Sequence, residues 1–313
     1  MKRRLFIKAL FAAFAAPASA VAQLVRPGRL LGRGSPADIS ASGYILDDVA
    51  GAVFAYSLNR YLASDFEGNA VVKLEEDNGG TTQDFKLSGG TLVTDDVNED
   101  TVAEWLTGAS ASAARENTIY DQSGNGNNAV QTTDGNQPDF AASGIGSKPS
   151  GDWNGSADWM DIAADPLTLP SITIVAAAQA QSTAGDADQS FIFGTNSAEG
   201  ARIYMGLDDA PAWYFRLGAA ADTTGGTADT DAHVFTLRDN AGSGILRVDQ
   251  SQVASTSHVA SATPSNQTIG AFGAGTTARW NGLIPEIIAW NSALSNDDMA
   301  SVETDIGEFY GIL

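Results

Sequence analysis

Cysteine is absent from the 313 residues, and histidine occurs only at His233 and His258. Without thiols there can be no disulfide framework, thiolate zinc site or cysteine nucleophile, so stability must come from packing. Two histidines leave almost no raw material for a two-histidine metal centre or a serine–histidine triad. Positive charge is scarce too. Seventeen Lys and Arg stand against 38 Asp and Glu, a net charge of −21. Four of those positive charges, Lys2, Arg3, Arg4 and Lys8, lie in the first eight residues, which leaves −25 for the rest. Such a surface repels phosphates, so nucleic acid and anionic lipid are poor partners. Neutral glycans, cations and a basic protein surface remain. An acid excess also suits salty water, where screening tolerates it. Long apolar runs are missing as well. The one extended stretch, Leu5 to Ala16, is interrupted by Lys8, and a bilayer span needs ~20 apolar residues.

What is there in quantity is glycine (33) and small polar residues between short apolar runs, in a chain 43% hydrophobic. That composition suits an all-β protein of one large domain or two smaller ones. The opening MKRRLFIKALFAAFAAPASAVAQ has a basic start, an apolar middle and small residues near Ala20 and Ala22. It reads as an export signal over residues 1–23, with Arg3 and Arg4 placed as in a twin-arginine signal. An N-terminal arm that docks into an assembly is the alternative. Residues 24–43, rich in Gly, Pro and Arg, read as a linker, and 44–313 as the folded domain. The expected location is extracytoplasmic, with a virion as the alternative, and without a membrane span once the signal is removed.

Val71 to Leu74 and Asp84 to Leu87 form a candidate strand pair, followed by a short helix over Asn98 to Leu106 with Glu99 and Asp100 in its first turn. Beyond Thr118 the pattern becomes strands between turn clusters. Candidates are Ser171 to Ala178, Phe191 to Gly194, Arg202 to Leu207, Ala212 to Leu217, His233 to Arg238, Gly244 to Val248, Thr268 to Phe272 and Leu283 to Trp290. Eight strands at this spacing predict a sandwich. Ala219 to Asp231 reads as surface loop. At the end Ser295 can cap a helix in which Met299, Val302, Ile306 and Phe309 make one apolar stripe, with Gly311 as its stop.

The segment YDQSGNGNN, Tyr120 to Asn128, is the most distinctive motif. Asp121, Ser123 and Asn125 supply oxygen at alternate positions before a glycine, like the first half of a calcium loop. The twelfth position is Thr132, where a bidentate glutamate would be needed. A hydrogen-bonded turn with glycines at positive φ is the leading reading. A structural calcium ion or direct ligand contact are the alternatives, and no other cofactor is expected.

Two stretches resemble known families. GDWNGSADWMDIA (Gly151 to Ala163) and WNGLIPEIIAWNSALSNDDMASVETDIGEFYGI (Trp280 to Ile312) resemble the opening and closing segments of laminin-G-like, concanavalin A-type jelly rolls. AYSLNRYLASDFEGNAVVKLEEDNGGTTQDF followed by IYDQSGNGNNAVQ is similar to the front of the alpha-L-arabinofuranosidase B catalytic domain and to modules of bacteriophage structural proteins. The resemblance implies an antiparallel concanavalin A-like β-sandwich, or jelly roll, with a few short helices including a C-terminal one. It would place a nucleophile in YMGLDDAPAWYF, where Asp208 and Asp209 stand in place of the family's glutamate. It would place the acid in Ile269 to Gly282, a stretch with no carboxylate. Hydrolysis of a glycoside needs two carboxyl groups, and the family's cysteines are missing too.

The resulting expectation is a noncatalytic carbohydrate-binding or interaction module of a virion or of an exported cell-surface protein. The alternatives are an exported retaining arabinofuranosidase-like hydrolase and a purely structural virion subunit. The partners would be a glycan or neighbouring protein subunits, including further copies of the chain. Sugars are held by aromatic faces flanked by hydrogen-bonding groups. Trp280, with Arg279 and Asn281 beside it at a strand entrance, is the expected exposed aromatic. Trp213 and Phe215 share one strand face, so Tyr214 points the other way. Trp290 is expected in the core, and His258 has no carboxylate near it in sequence.

Overall fold

Side chains alternate across a strand, and strand Ser171–Ala180 shows how that alternation builds the protein. Ile172, Ile174, Ala176 and Ala178 enter one apolar cluster, while Val175 and Ala177 enter another on the opposite side. The strand is buried on both faces, as its nearly unbroken apolar run requires. It pairs antiparallel with Asn281–Trp290 on one edge and Ala232–Asn240 on the other. Ala52–Ser57 and Ser150–Asn154 line the far edge of Asn281–Trp290, and Ser243–Val248 and Ser251–Ser257 extend the layer the other way. In the second layer Ser190–Thr195 lies between Gln267–Ile269 and Ile203–Leu207, followed by Trp213–Leu217 and Thr223–Gly225.

The computed structural model describes residues 43–183, 189–196, 199–259, 263–273, 275 and 277–313, all within one unit, Pro36–Leu313. The expected export signal, 1–23, and the linker up to residue 42 lie outside the described residues. The all-β antiparallel sandwich is borne out. Trp153, Phe193, Met205, Phe215, Phe235 and Trp280 fill the space between the layers. Each such side chain is worth about 1.5–3 kcal/mol relative to exposure. Strands Ala70–Glu76, Thr82–Ser88 and Ala114–Ile119 form a smaller meander at one end, joined to the second layer through Ala129–Val130 and Met160–Ile162.

The C-terminal helix, Asn296–Tyr310, covers the outer side of the first layer. Ser295 caps it by accepting from the Asp298 amide, and Gly311 ends it at φ 68°. Met299, Val302, Ile306 and Tyr310 pack on Val175, Val234, Ile288 and Trp290. Charge fastens the same contact. Arg60 makes two bonds to Glu286, of 2.7 and 3.1 Å, and lies 2.5 Å from Asp305 on the helix. Arg247 reaches Glu303 at 2.8 Å.

Three expectations need correction. The first long helix runs Val102–Ala109, not from Asn98, because Thr101 forms a capping box with Glu104. Glu99 instead sits at φ 51°, outside any helix. Trp280 is fully buried: its backbone is fixed to Gly270 and Gly155, and its ring lies in the sandwich core. His258, with no carboxylate near it in sequence, meets one in space, where Asp239 lies 2.9 Å from its Nε2. A polar strand, Ser251–Ser257, and a short one, Thr223–Gly225 inside the expected loop, complete the sheet.

Candidate functional site

The outer side of the second layer carries its own apolar cluster, separate from the sandwich core. In Trp213–Leu217, Trp213, Phe215 and Leu217 face inward and Tyr214 and Arg216 outward, as the alternation predicts for Tyr214. In Ile203–Leu207 the outward positions are Tyr204 and Gly206. The register sets Tyr204 opposite Arg216 and Gly206 opposite both Tyr214 and Phe191. A bulge displaces the strand at Phe191, so that a Cβ on Gly206 would stand 2.0 Å from the Ser190 carbonyl oxygen. Glycine is therefore required there, and its missing side chain lets the rings close over it.

Phe191, Tyr204 and Tyr214 lie almost parallel, with centroids 4.8, 5.6 and 6.1 Å apart, and Phe272 tilts against the first two. They border a cleft of about 200 Å³ together with Gln189, Arg202, Arg216, Asp222, Thr277 and Ala278. That is smaller than the ~300–1,000 Å³ that ligand sites usually occupy. The three rings are only 1–3% exposed. They lean on one another, and the ligand-facing chemistry belongs to polar groups.

Those groups form a connected set. Arg216 Nη1 donates to Asp222 Oδ1 at 3.0 Å. The Tyr214 hydroxyl is bonded to Asp222 and Gln189, and burial followed by the Asp222 carboxylate pushes its pKa up. Burial also raises the Tyr204 phenol, against the opposing pull of Arg202 and Arg216. Gln189 in turn donates to Asp208 at 3.5 Å. Among the described lining residues Asp222 is the one carboxylate, and Arg202 and Arg216 are two cations.

The residues expected from sequence distribute unevenly around this cleft. Tyr214 lines it. Arg279 borders it through a bridge to Phe191, while its guanidinium donates to the Gly275 carbonyl. Trp280 is in the core, and Asn281 pairs with Asn154 in the other layer. Asp208 and Asp209 build the hairpin turn after Leu207, accepting from the amides of Asp209 and Ala210 at 3.0 and 2.8 Å. Phe191, Tyr204, Arg202, Arg216 and Asp222 were not singled out by sequence. The usable signal was alternation: once Tyr214 points outward, Arg216 and Tyr204 must follow it.

The YDQSGNGNN segment folds as a turn that clamps strand Ala52–Ser57. Asp121 accepts from the amides of Ala55, Ser123 and Asn127, each at 2.9 Å, and from the Ser123 hydroxyl at 2.8 Å. A carboxylate offers about four acceptor positions, and these four donors occupy them. Gln122 bridges Leu62 and Ser57, Asn125 donates to the Ala52 carbonyl, and Gly124 and Gly126 take φ of 83° and 75°. A calcium ion would have to displace donors that already hold the turn. Among the described residues no three acidic or histidine side chains converge as a metal site, and no helix is long and apolar enough to cross a membrane.

The sandwich is an architecture shared with solved glycoside hydrolases. The chain matches an arabinofuranosidase complexed with arabinofuranosyl-α-1,2-xylobiose at TM-score 0.61 and 17% identity, over 84% of this chain and 64% of that one. It matches a GH54 α-L-arabinofuranosidase soaked with a cyclic sulfate inhibitor at TM-score 0.59 and 15% identity, with the same coverage. The chain thus spans a little under two thirds of the length of these enzymes. Domain 4 of a GH43 arabinanase from Geobacillus stearothermophilus, in complex with arabinotriose, aligns at TM-score 0.46 and 13% identity, over 58% of this chain and 91% of that one. No protein-family model and no curated protein matches the sequence. The expected resemblance to the arabinofuranosidase sandwich holds at the level of fold. The bacteriophage resemblance has no counterpart among the structures named above.

Proposed function

We propose that this chain is a noncatalytic carbohydrate-binding module of an exported protein, with the cleft bordered by Arg202, Tyr204, Tyr214, Arg216 and Asp222 as its glycan site. The observation that carries this reading is a preassembled set of amide, guanidinium and carboxylate groups bordering an open cleft on a rigid sheet, braced from beneath by the buried Tyr204 and Tyr214. Sugars are recognised by such convergent polar groups, and fixed strands present them with little loss of conformational freedom. The fold shared with arabinofuranosidases supports the same class of ligand.

Hydrolysis is the second reading, favoured by the fold alone. Against it stands the cleft's carboxylate inventory. Asp222 is tied to Arg216, and acid and nucleophile must face each other ~5–10 Å apart across the bond. Retention of the protein on a glycan array, without release of nitrophenol from 4-nitrophenyl α-L-arabinofuranoside, is the expected result. Release that disappears in Asp209→Asn or Asp222→Asn would establish the hydrolase instead. Neither retention nor release would overturn both readings.

A further inference from the structure

Four Asn-Gly pairs occur in the sequence, beginning at Asn78, Asn125, Asn154 and Asn281. In such a pair the glycine nitrogen can attack the asparagine side-chain carbonyl, because no Cβ shields it and the glycine backbone turns freely. The fold treats the four differently. Gly282 is paired on both edges of the long strand Asn281–Trp290, with Trp153 and Ala180. At Asn154 the Gly155 amide donates to the Trp280 carbonyl at 2.9 Å, and the side-chain oxygen accepts from the amides of Ser156 and Ala157. The Asn125 side chain donates to both the Ala52 carbonyl and the Ser123 hydroxyl, each at 2.9 Å. Asn78 is the exception. It stands exposed in the turn between Ala70–Glu76 and Thr82–Ser88, where the Glu76 carboxylate accepts from the amides of Asn78 and Thr81. The Gly79 amide makes no hydrogen bond among the described residues, and its φ of 139° reserves the position for glycine. One bond of 3.2 Å, from the Asn78 side-chain nitrogen to the Ala109 carbonyl, holds the side chain.

We infer that Asn78 is a site of spontaneous hydrolytic modification, deamidating to aspartate and isoaspartate ahead of the other pairs. The Gly79 nitrogen gives up its proton and bonds to Asn78 Cγ. The Cγ–Nδ2 bond breaks, and ammonia leaves with that proton as a succinimide ring closes. Water then opens the ring at either carbonyl. Water is the sole co-reactant and ammonia the sole by-product. The change bears on the fold through the bond that Asn78 makes, since Ala109 is the last residue of helix Val102–Ala109 and its carbonyl faces outward from the negative end. A carboxylate at position 78 removes the donor and brings negative charge to that end, where the helix dipole disfavours it. Glu75, Glu76 and Asp77 already precede it in the same turn. Deamidation therefore releases the clasp between the hairpin turn and the helix.

The test ages the full chain in mildly alkaline buffer, both natively folded and in urea, and reads each Asn-Gly peptide by mass and by isoaspartate-specific methylation. In the folded protein Asn78 should deamidate at least about threefold faster than Asn125, Asn154 or Asn281, since each hydrogen bond that must open first slows the attack by roughly two- to tenfold. In urea the four rates should converge. Asn78→Gln, whose longer side chain closes the corresponding ring slowly, should remove the early acidic product from ion-exchange profiles while the circular dichroism stays native. Faster ageing at any of the other pairs, no deamidation of the folded chain, or a lead for Asn78 that persists undiminished in urea would overturn the assignment.

Discussion

Arg60 and Glu286 come from opposite ends of the chain and meet in two hydrogen bonds under the C-terminal helix, where the Glu286 side chain is fully buried. The Tyr310 hydroxyl donates to the same carboxylate at 3.2 Å, Asn59 holds the Tyr310 oxygen, and the Arg60 guanidinium lies 4.5 Å from the centre of the Phe309 ring. One ion pair therefore joins the segment after strand Ala52–Ser57, the long central strand and the helix. Removing one partner strands the other charge in a dry site. Arg60→Met should cost about 3–5 kcal/mol in urea unfolding, a large part of a domain's ~5–15 kcal/mol. Arg60→Met with Glu286→Leu should recover most of that loss, and failure to recover would point to Asp305, left unpaired on the helix, or to lost packing against Phe309.

His233 stands between Asp229 at 2.8 Å and Asp249 at 2.6 Å, with its ring edge-on to Trp213. Burial alone would lower its pKa, but the two carboxylates raise it to about 9. The unfolded value is near 6.5. A raised histidine pKa stabilises the fold fully below the unfolded value, and that contribution fades as pH climbs through the folded one. Melting temperature should fall between about pH 6.5 and 9, by the equivalent of up to roughly 3 kcal/mol. His233→Asn should flatten the profile in that window.

Glu116 is fully buried beside Gly151 and Trp153, and neither carboxyl oxygen has a hydrogen-bond partner among the described residues. Burial, followed by the charges of Asp158 and Asp139, raises its pKa well above the usual carboxylate range. For an acid this sign means stability is lost as pH rises above the unfolded value of about 4.3. Glu116→Met should raise stability at about pH 7 by about 1–4 kcal/mol. The gain should vanish near about pH 4, where wild type keeps its proton, and a gain independent of pH would sink the account.

Asp121→Ala orphans the buried Ala55 amide and frees the turn at Asn127. It should destabilise by at least about 2 kcal/mol, since each buried donor left unmet costs about 1–3 kcal/mol. Because those donors fill the carboxylate, millimolar calcium should leave the melting temperature of the wild type unchanged. A rise with calcium concentration would show a bound ion.

The fold was legible where burial writes a pattern. Ser171 to Ala178 and, Glu286 apart, Leu283 to Trp290 run apolar on both faces because the core lies on one side and the helix on the other. Ser295, Gly311 and the Met299–Val302–Ile306 stripe located that helix directly. Strand Ser251–Ser257 was invisible because it borders the sheet with serine, threonine and glutamine exposed. The cleft was half legible. Alternation turned Tyr214 outward, but nothing local linked it to Phe191, Arg202 or Asp222, which meet only through strand pairing. Trp280 misled for a similar reason: polar neighbours in sequence are not neighbours in space, and its ring turns inward just ahead of strand Asn281–Trp290.

The helix roofs one broad side of the sandwich and the cleft opens on the other, which gives the molecule a back and a front. Anything tethered through the last turn near Leu313 would hold it by the back. A fusion, an affinity tag or a surface linker joined there leaves the cleft side pointing outward.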